Sequence, residues 1–391
     1  MKKIIVIIVA FIIICCLASV GCTQRLVTPD GEDYTDYTYR AYQSLTYFGT
    51  TTYVVMGGDF SKTKIVERAD ATWEDIKSQL LAIDQAISEN IADSDISKFN
   101  KASSGEKIEV TKHTYDLLAE CHQYYELTDG HFNPAIGHHV DLWGFTPRFS
   151  AVEYVPNMPY DRDDFRTQLP DNKYIQGFGK LTDFSKVQLS QSGEKYFVTK
   201  PTVSIEIDGT TYTMSLTVGG VGKGYACDRV REILKKNGFN FGYVSIGSSS
   251  MSILQSIEPA QANSLAWNVG IVHPRQDGTY LSIELANTSL STSGDYERYY
   301  ELNGERYCHI ISKDGCPTRS CIITATAMCE SSSKCDALTT AICSMDLDVA
   351  KRFMEKSGVD ISLVYKSPSD SVLQYYSNHQ ATLLDREIIR K

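Results

Sequence analysis

Two short segments carry groups that bind anions and metal cations. Residues 219–224 read Gly-Gly-Val-Gly-Lys-Gly at the start of a helix-like stretch. Such a turn brings free backbone N–H groups and the Lys223 charge close to a bound anion. Residues 336–340 read Asp-Ala-Leu-Thr-Thr, so a helix places Asp336 and Thr340 on one face as oxygen donors for a hard cation. The plainer interpretations are a tight strand-to-helix connection and N-terminal helix capping by the aspartate.

Two further segments offer an aromatic lining and a histidine. Residues 128–134 (Thr-Asp-Gly-His-Phe-Asn-Pro) and 141–145 (Asp-Leu-Trp-Gly-Phe) interleave polar groups with aromatic rings, a composition that suits a flat heteroaromatic ligand. His309 lies in an apolar, strand-like segment downstream of residues 291–296, Ser-Thr-Ser-Gly-Asp-Tyr. The alternatives are a turn followed by a core tryptophan, and a core histidine whose polar atoms are already satisfied.

The hydrophobic periodicity predicts the elements that must position these residues. Apolar residues recur every three or four positions over 73–87 and 111–127, and helices are also predicted from the Gly-rich turn to Lys236, at 334–345 and at 347–356. Strands are predicted at 45–58, 241–247, 266–272, 279–285, 306–312 and 320–328, with a hairpin over 204–216 around Asp208-Gly209. Because strands and helices mix without strict βαβ alternation, we predict a single α+β domain.

Composition and charge narrow the class of protein. The chain has 391 residues, of which 42% are hydrophobic and 22% charged. These values exclude a disordered chain and a polytopic membrane protein. The net charge is -10, and the sequence contains no dense stretch of Lys and Arg residues. A nucleic-acid binder needs a basic footprint, so we expect no nucleic-acid partner.

The N-terminus has the features of an export signal. Lys2 and Lys3 precede 14 apolar residues at 4–17, and Ser19-Val20-Gly21-Cys22 then resembles a bacterial lipobox. We therefore predict a signal peptide at 1–21, lipidation of Cys22, a polar tether at 22–44 and one domain at 45–391. Residues 146–215 are expected to form an irregular insertion and the hairpin. A plain secretory signal and an uncleaved N-terminal anchor are the alternatives, and all three put the domain outside the cytoplasmic membrane.

Eight cysteines follow the leader, and an even number in an exported chain suggests disulfides. Cys227, Cys335 and Cys343 lie in helix-like stretches, however, where cysteine serves as a small buried hydrophobe. No Cys-x-x-Cys pair occurs, so we expect no zinc site. We expect at most one or two bridges, or none.

Taken together and in order, these motifs resemble the ApbE family, the FAD:protein FMN transferases. The resemblance extends over about residues 45–365 and rests on seven collinear segments: 48–51, 93–100, 129–145, 219–225 with Asp228, 292–296, 309–311 and 336–341. It implies an exported α+β domain that takes FAD and Mg²⁺ and moves the FMN half of FAD onto a Thr or Ser hydroxyl of a partner protein, releasing AMP.

The resemblance also implies roles for individual residues. Mg²⁺ is expected at Asp336, Thr340 and the carbonyl of Gly220, and the catalytic residues are expected to be Lys223 and His309, with His309 as the base. The expected FAD-binding residues are Phe48, Asn90, His131, Phe132, Asn133, Thr217, Lys223, His309 and Ile310. Expected acceptors are subunits of Rnf complexes or sodium-pumping quinone reductases, or extracellular flavoproteins, met at the outer face of the cytoplasmic membrane.

Four positions depart from the family pattern. Thr217, Asn133 and Ser312 replace the usual aspartates, and Asn90 replaces the aromatic residue that is expected to pack on the adenine. Asparagine at the position of Asn90 is found in a branch of the family that mainly hydrolyses FAD. Two alternatives to the transferase therefore stay open: an FAD pyrophosphatase that yields FMN and AMP, and a non-catalytic flavin-binding lipoprotein.

Overall fold

The computed structural model describes residues 34, 36–146, 168–257, 265–367, 372–385 and 387–390. The predicted signal peptide and Cys22 lie outside the described residues. The helices are α1 (Thr63–Ile87), α2 (Asp95–Lys101), α3 (Lys112–Leu127), α4 (Gly137–Leu142), α5 (Asn172–Gly179), α6 (Gly222–Lys236), α7 (Ser332–Cys343) and α8 (Leu347–Ser357).

The strands alternate irregularly with these helices, as expected for an α+β fold. They are β1 (Thr38–Ser44), β2 (Thr52–Gly58), β3 (Lys107–Val110), β4 (Gln188–Ser192), β5 (Lys195–Thr199), β6 (Ser204–Ile207), β7 (Thr210–Thr213), β8 (Gly242–Ile246), β9 (Ser250–Ile253), β10 (Trp267–Val272), β11 (Thr279–Leu285), β12 (Thr288–Gly294), β13 (Tyr299–Leu302), β14 (Glu305–Cys308), β15 (Ile322–Cys329), β16 (Asp360–Tyr365), β17 (Gln374–Ser377), β18 (Thr382–Leu383) and β19 (Ile389–Arg390).

A nine-stranded sheet organises the fold. Its order is β1-β2-β8-β9-β12-β15-β16-β17-β19, and every pairing is antiparallel except that of β17 with β19. Helix α6 packs on β8 and β9, and α7 packs on β12 and β15. The main hydrophobic core joins these helices, α1 and the sheet. The small sheets β10-β11-β18, β3-β5-β4, β13-β14 and β6-β7 form no strand pairs with the nine-stranded sheet.

The helix predictions are confirmed, and for the predicted reasons. In α1 the apolar residues Ile76, Leu80, Ile83 and Ile87 are fully buried, so the three-to-four spacing does mark the core-facing side. Helix α3 begins after Thr111, whose side chain accepts a hydrogen bond from the Thr114 N–H. The predicted helices at 334–345 and 347–356 correspond to α7 and α8.

Four expectations about local structure are wrong. The segment predicted as one strand over 45–58 is strand β2 alone, preceded by a turn, and part of the expected tether forms β1, which pairs with β2. Residues 172–199, expected to be irregular, contain α5, β4 and β5, while 147–167 lie outside the described residues. The strand predicted over 306–312 ends at Cys308, so His309 follows a strand rather than lying within one.

The 204–216 hairpin is confirmed as β6 and β7. Its turn uses Asp208 and Gly209 with φ of 52° and 80°, the left-handed backbone that an Asp-Gly pair tolerates best. In the part of the chain that the structure describes, no helix is both long enough and apolar enough to span a membrane.

Candidate functional site

The first turns of helices α6 and α7 are in direct backbone contact. A Cβ atom added at Gly224 in α6 would lie only 2.3 Å from the carbonyl oxygen of Ser332 in α7. Glycine is therefore required here, because any side chain would force the two helices apart. The close approach brings the N-terminal ends of the two helices together at one point of the molecule.

Each helix supplies the aspartate that caps the other. Asp336 of α7 accepts the backbone N–H of Gly224 through Oδ2 at 3.1 Å. Asp228 of α6 accepts the N–H of Ser332 at 2.9 Å and that of Ser333 at 3.0 Å. The expected capping role of Asp336 is thus real, but it acts across helices, since α7 is capped by its own Ser331.

Asp336 is a buried carboxylate beside a lysine. Its side chain is almost inaccessible, with only 2% of the residue surface exposed. Oδ1 accepts a hydrogen bond from the Ser291 hydroxyl at 3.3 Å, and the Lys223 ammonium lies 3.7 Å from Oδ2. Lys223 also donates to the carbonyl of Gly219 at 3.4 Å, so the side chain lies along the Gly-rich turn.

Thr340 lies one helical turn after Asp336 and is in contact with Gly220. The Thr340 hydroxyl donates to the Asp336 carbonyl at 3.1 Å, which leaves its lone pairs available. A Cβ added at Gly220 would lie 3.1 Å from the same hydroxyl oxygen, so the Gly220 backbone is in contact with Thr340. Carboxylate, hydroxyl and carbonyl oxygens are the donors that hard cations prefer, and the residues therefore fit Mg²⁺.

A ladder of buried serines supports the two aspartates from the sheet side. Strands β9 and β12 pair through Ser250 with Ser291 at 3.1 Å and Ser252 with Ser289 at 3.0 Å between hydroxyl oxygens. All four residues are fully buried. Ser291 donates to Asp336 and Ser252 donates to Asp228 at 3.3 Å. Paired hydroxyls thus support both carboxylates from the sheet, beside the Lys223 and Arg231 charges that lie 3.7 Å and 3.5 Å from them.

His309 directly follows the β13-β14 hairpin, and among the described residues none is hydrogen-bonded to its ring Nε2. Its backbone N–H donates to the Arg298 carbonyl at 3.0 Å, and its ring Nδ1 lies 3.2 Å from the same oxygen. A carbonyl only accepts, so Nδ1 carries the proton and Nε2 has the lone pair. Burial, with the positive charges of Arg298 and Lys223, lowers the pKa of His309 to about 3. His309 is therefore neutral near pH 7.

A stack of aromatic rings fixes that hairpin to the loop after α4. Trp143 stacks on Tyr307 with ring centroids 5.6 Å apart, Tyr307 on Tyr300 at 5.4 Å, and Tyr300 on Phe145 at 5.6 Å. Phe145 in turn meets the His309 ring edge-on at 6.5 Å. The aromatic residues singled out in the sequence therefore hold the histidine in position.

Glu89 and Arg298 belong to the same region and were missed by the sequence analysis. The Thr217 hydroxyl donates to Glu89 at 2.6 Å. Burial raises the pKa of Glu89 to about 7, Asp141 adds to the rise, and Arg298 opposes it. The sequence did offer a signal for each residue. Glu89 directly precedes Asn90, and Arg298 lies two residues after the 292–296 motif.

The structure distributes the remaining predicted residues around this cluster. Phe48 is in the turn between β1 and β2, with φ of 55°, and packs on the main core. Asn90 follows Glu89 beyond the end of α1 and is partly buried. Phe132 and Ile310 are buried core residues, 4% and 3% exposed, so they shape the wall of the region rather than offering polar contacts.

His131 and Asn133 line a separate polar cavity of about 380 Å³ whose described lining includes neither Lys223 nor Asp336. Both ends of the Asn133 amide contact the backbone: the oxygen accepts the Ala135 N–H at 2.8 Å and the NH₂ donates to the Thr182 carbonyl at 2.8 Å. The His131 ring lies 3.1 Å from the Ser344 hydroxyl. The described geometry therefore joins Gly220, Lys223, Asp336 and Thr340 directly, with His309 and Thr217 nearby.

Several FAD:protein FMN transferases are similar in sequence to this chain over most of its length. FAD:protein FMN transferase of Escherichia coli K12 is 24% identical over 296 residues, covering 75% of this chain and 76% of that protein. The transferase of Treponema pallidum is 28% identical and covers 72% and 73%. The transferase of Haemophilus influenzae is 26% identical and covers 83% and 86%.

Solved structures share the fold. Flavin transferase ApbE from Vibrio cholerae superposes with a TM-score of 0.67 at 21% identity, covering 87% of this chain and 97% of that one. The ApbE protein from Thermotoga maritima gives a TM-score of 0.66 at 26% identity, covering 84% and 94%. The family model described as the ApbE family matches residues 48–363. With the match spanning most of the sequence, the chain belongs to the ApbE family.

Proposed function

We propose that this chain is an FAD:protein FMN transferase. In this reaction the FMN half of FAD is transferred to a Thr or Ser hydroxyl of an acceptor protein, with Mg²⁺ required and AMP released. The observation that carries the proposal is the joining of Lys223, Asp336, Thr340 and Gly220 at the meeting point of two helix N-termini. Family membership and the names of the relatives support it.

The oxygen donors fit a divalent cation beside the lysine. Asp336, Thr340 and the Gly220 carbonyl would hold Mg²⁺, and Asp336 supplies the one side-chain carboxylate of this set. Among the residues that the structure describes, no group of three or more His, Cys, Asp or Glu side chains could hold a metal. When bound, Mg²⁺ neutralises charge on the pyrophosphate oxygens. The Lys223 ammonium, which lies beside the Gly219 carbonyl in the Gly-rich turn, would bind a phosphate oxygen.

His309 has the protonation state that a general base requires. Its Nε2 would take the proton of the acceptor hydroxyl as that oxygen attacks the FMN phosphorus. The bond between this phosphorus and the bridging oxygen breaks, and AMP leaves with that oxygen. Because the pKa of His309 is lowered to about 3, the ring stays unprotonated, and the hairpin and aromatic stack hold it in place.

Asn90 favours hydrolysis as a second candidate activity. It occupies the position at which an aromatic residue is expected to pack on adenine, and an amide gives the AMP half less stacking area. Water would then replace the acceptor hydroxyl, and FMN and AMP would both be released. In the non-catalytic alternative FAD would bind without turnover, although the retained Asp336, Lys223 and His309 favour catalysis.

The site of action that we propose is the outer face of the cytoplasmic membrane. A diacylglyceryl group on Cys22 would anchor the domain stably, because two acyl chains bury more CH₂ groups than the marginal single chain. Acceptors would be membrane-bound flavin subunits, such as those of Rnf complexes or sodium-pumping quinone reductases, or extracellular flavoproteins.

Expression of the full chain and Cys22→Ala, followed by fractionation and mass analysis of the N-terminal peptide, tests the anchor. Two equally soluble forms with no lipid would refute it.

Incubation with FAD and millimolar Mg²⁺, with and without a candidate acceptor subunit, separates the three activities. A transferase gives an acceptor carrying FMN as a phosphoester and an equal amount of AMP. A pyrophosphatase gives free FMN and AMP whether or not acceptor is present, and a binding protein leaves FAD intact. The proposed function predicts the first result, and unchanged FAD would contradict it.

Asp336→Ala and Asp336→Asn should both abolish most activity. The charge that holds the cation is lost in both variants, while asparagine keeps the shape and an acceptor for the Gly224 N–H. We expect turnover to fall at least ~100-fold and Mg²⁺ binding, measured by calorimetry, to weaken in parallel. Asp360→Ala is the matched control because this aspartate is exposed at the start of β16. Near-normal turnover by Asp336→Asn would overturn the metal assignment.

Asn90→Tyr should move the balance from hydrolysis toward transfer. A tyrosine ring at this position would stack on the adenine and hold the AMP half in place. We expect the ratio of acceptor labelling to free FMN to rise severalfold, while the exposed Asn240→Tyr leaves it unchanged. An unaltered ratio in Asn90→Tyr would show that Asn90 lies away from the nucleotide.

A further inference from the structure

Two cysteine thiols meet at the junction of β15 and α7. Cys329 is the last residue of β15. Cys335 is the fourth residue of α7 and directly precedes Asp336. Their sulfur atoms are 3.2 Å apart, which is hydrogen-bonding contact between two thiols. No step of the proposed transfer reaction uses either sulfur.

The two thiols differ in how easily an outside reagent reaches them. Cys335 is completely buried. Cys329 is partly exposed and lines a surface cavity of about 460 Å³ together with Thr288, Glu330 and Gly358. Cys329 donates to the Ser331 carbonyl at 3.2 Å. The hydrogen bond from Cys335, together with the Lys334 charge, lowers the pKa of Cys329, which favours the reactive thiolate.

We propose that Cys329 and Cys335 are a disulfide-forming pair, oxidised by an external disulfide of the thiol oxidoreductase or small-molecule class. The Cys329 thiolate attacks one sulfur of the external disulfide, whose S–S bond breaks and releases one thiol. The Cys335 thiol then loses its proton and attacks the Cys329 sulfur, and the second thiol leaves. Two cysteines are oxidised, and one external disulfide is reduced to two thiols.

A disulfide between Cys329 and Cys335 would form a covalent loop that contains the first residues of α7. Residues between the two cysteines include Ser331, the N-cap of α7, and Ser332 and Ser333, whose N–H groups Asp228 accepts. A disulfide stabilises mainly by restricting the unfolded chain. The oxidised form is therefore expected to unfold at a temperature several degrees higher, with the start of the Asp336-bearing helix fixed. This inference does not depend on the proposed transferase activity.

Thiol counting on the purified full chain tests the pair. After treatment with oxidised glutathione and denaturation, maleimide labelling should show two fewer thiols than in the dithiothreitol-reduced protein. Trypsin cleavage after Lys334 separates the two cysteines, so the bridge should join peptide 320–334 to peptide 335–351. Because Cys321 and Cys343 lie on the same peptides, variants must assign the bond.

Cys329→Ser and Cys335→Ser should each abolish the linked peptide, while the matched Cys321→Ser keeps it. The redox-dependent rise in unfolding temperature should follow the same pattern. If Cys335→Ser fails to fold, Cys329→Ser, whose partly exposed position tolerates the change, still decides the result. Equal thiol counts after oxidation, or a linked peptide that persists in Cys329→Ser, would overturn the proposal.

Discussion

The contact between the first turns of α6 and α7 is the constraint on which the site depends. Gly224 lets the two backbones approach so closely that a Cβ atom would clash with Ser332. The orphan N–H groups at both helix starts are then satisfied by Asp336 and Asp228, each supplied by the opposite helix. Such charge-assisted bonds contribute about 1.5–3 kcal/mol each, and the positive ends of the helix dipoles favour the buried carboxylates.

The electrostatics of the region follow from this arrangement. The carboxylate of Asp336 is buried 3.7 Å from the Lys223 ammonium and accepts the N–H of Gly224 in the first turn of α6. Burial, helped by the charges of Arg298 and Lys223, lowers the pKa of His309 and keeps its ring neutral. One carboxylate for a cation, one ammonium for a phosphate and one unprotonated imidazole are thus present together. That combination suits phosphoryl transfer, in which positioning and charge stabilisation do most of the chemistry.

Sequence reasoning succeeded where a local rule decides the structure. Helical spacing gave α1, α3 and α7, and the four-residue interval between Asp336 and Thr340 falls within α7, where Thr340 contacts the Gly220 backbone. It missed β9 and β12, two serine-rich strands whose serines are buried because their hydroxyls pair with one another across the sheet. Glu89 and Arg298 were missed because only tertiary contacts bring them beside Thr217 and His309.

Binding of FAD by Gly224→Ala is the most direct test of this account. Alanine favours an isolated helix by about 1 kcal/mol over glycine, so any loss must come from separating α6 and α7. Flavin fluorescence titration in Mg²⁺ should show affinity reduced at least tenfold, with the far-ultraviolet circular dichroism retained. Ser192→Ala, exposed at the end of β4, should bind FAD as the wild type does. Wild-type affinity in Gly224→Ala would contradict the account.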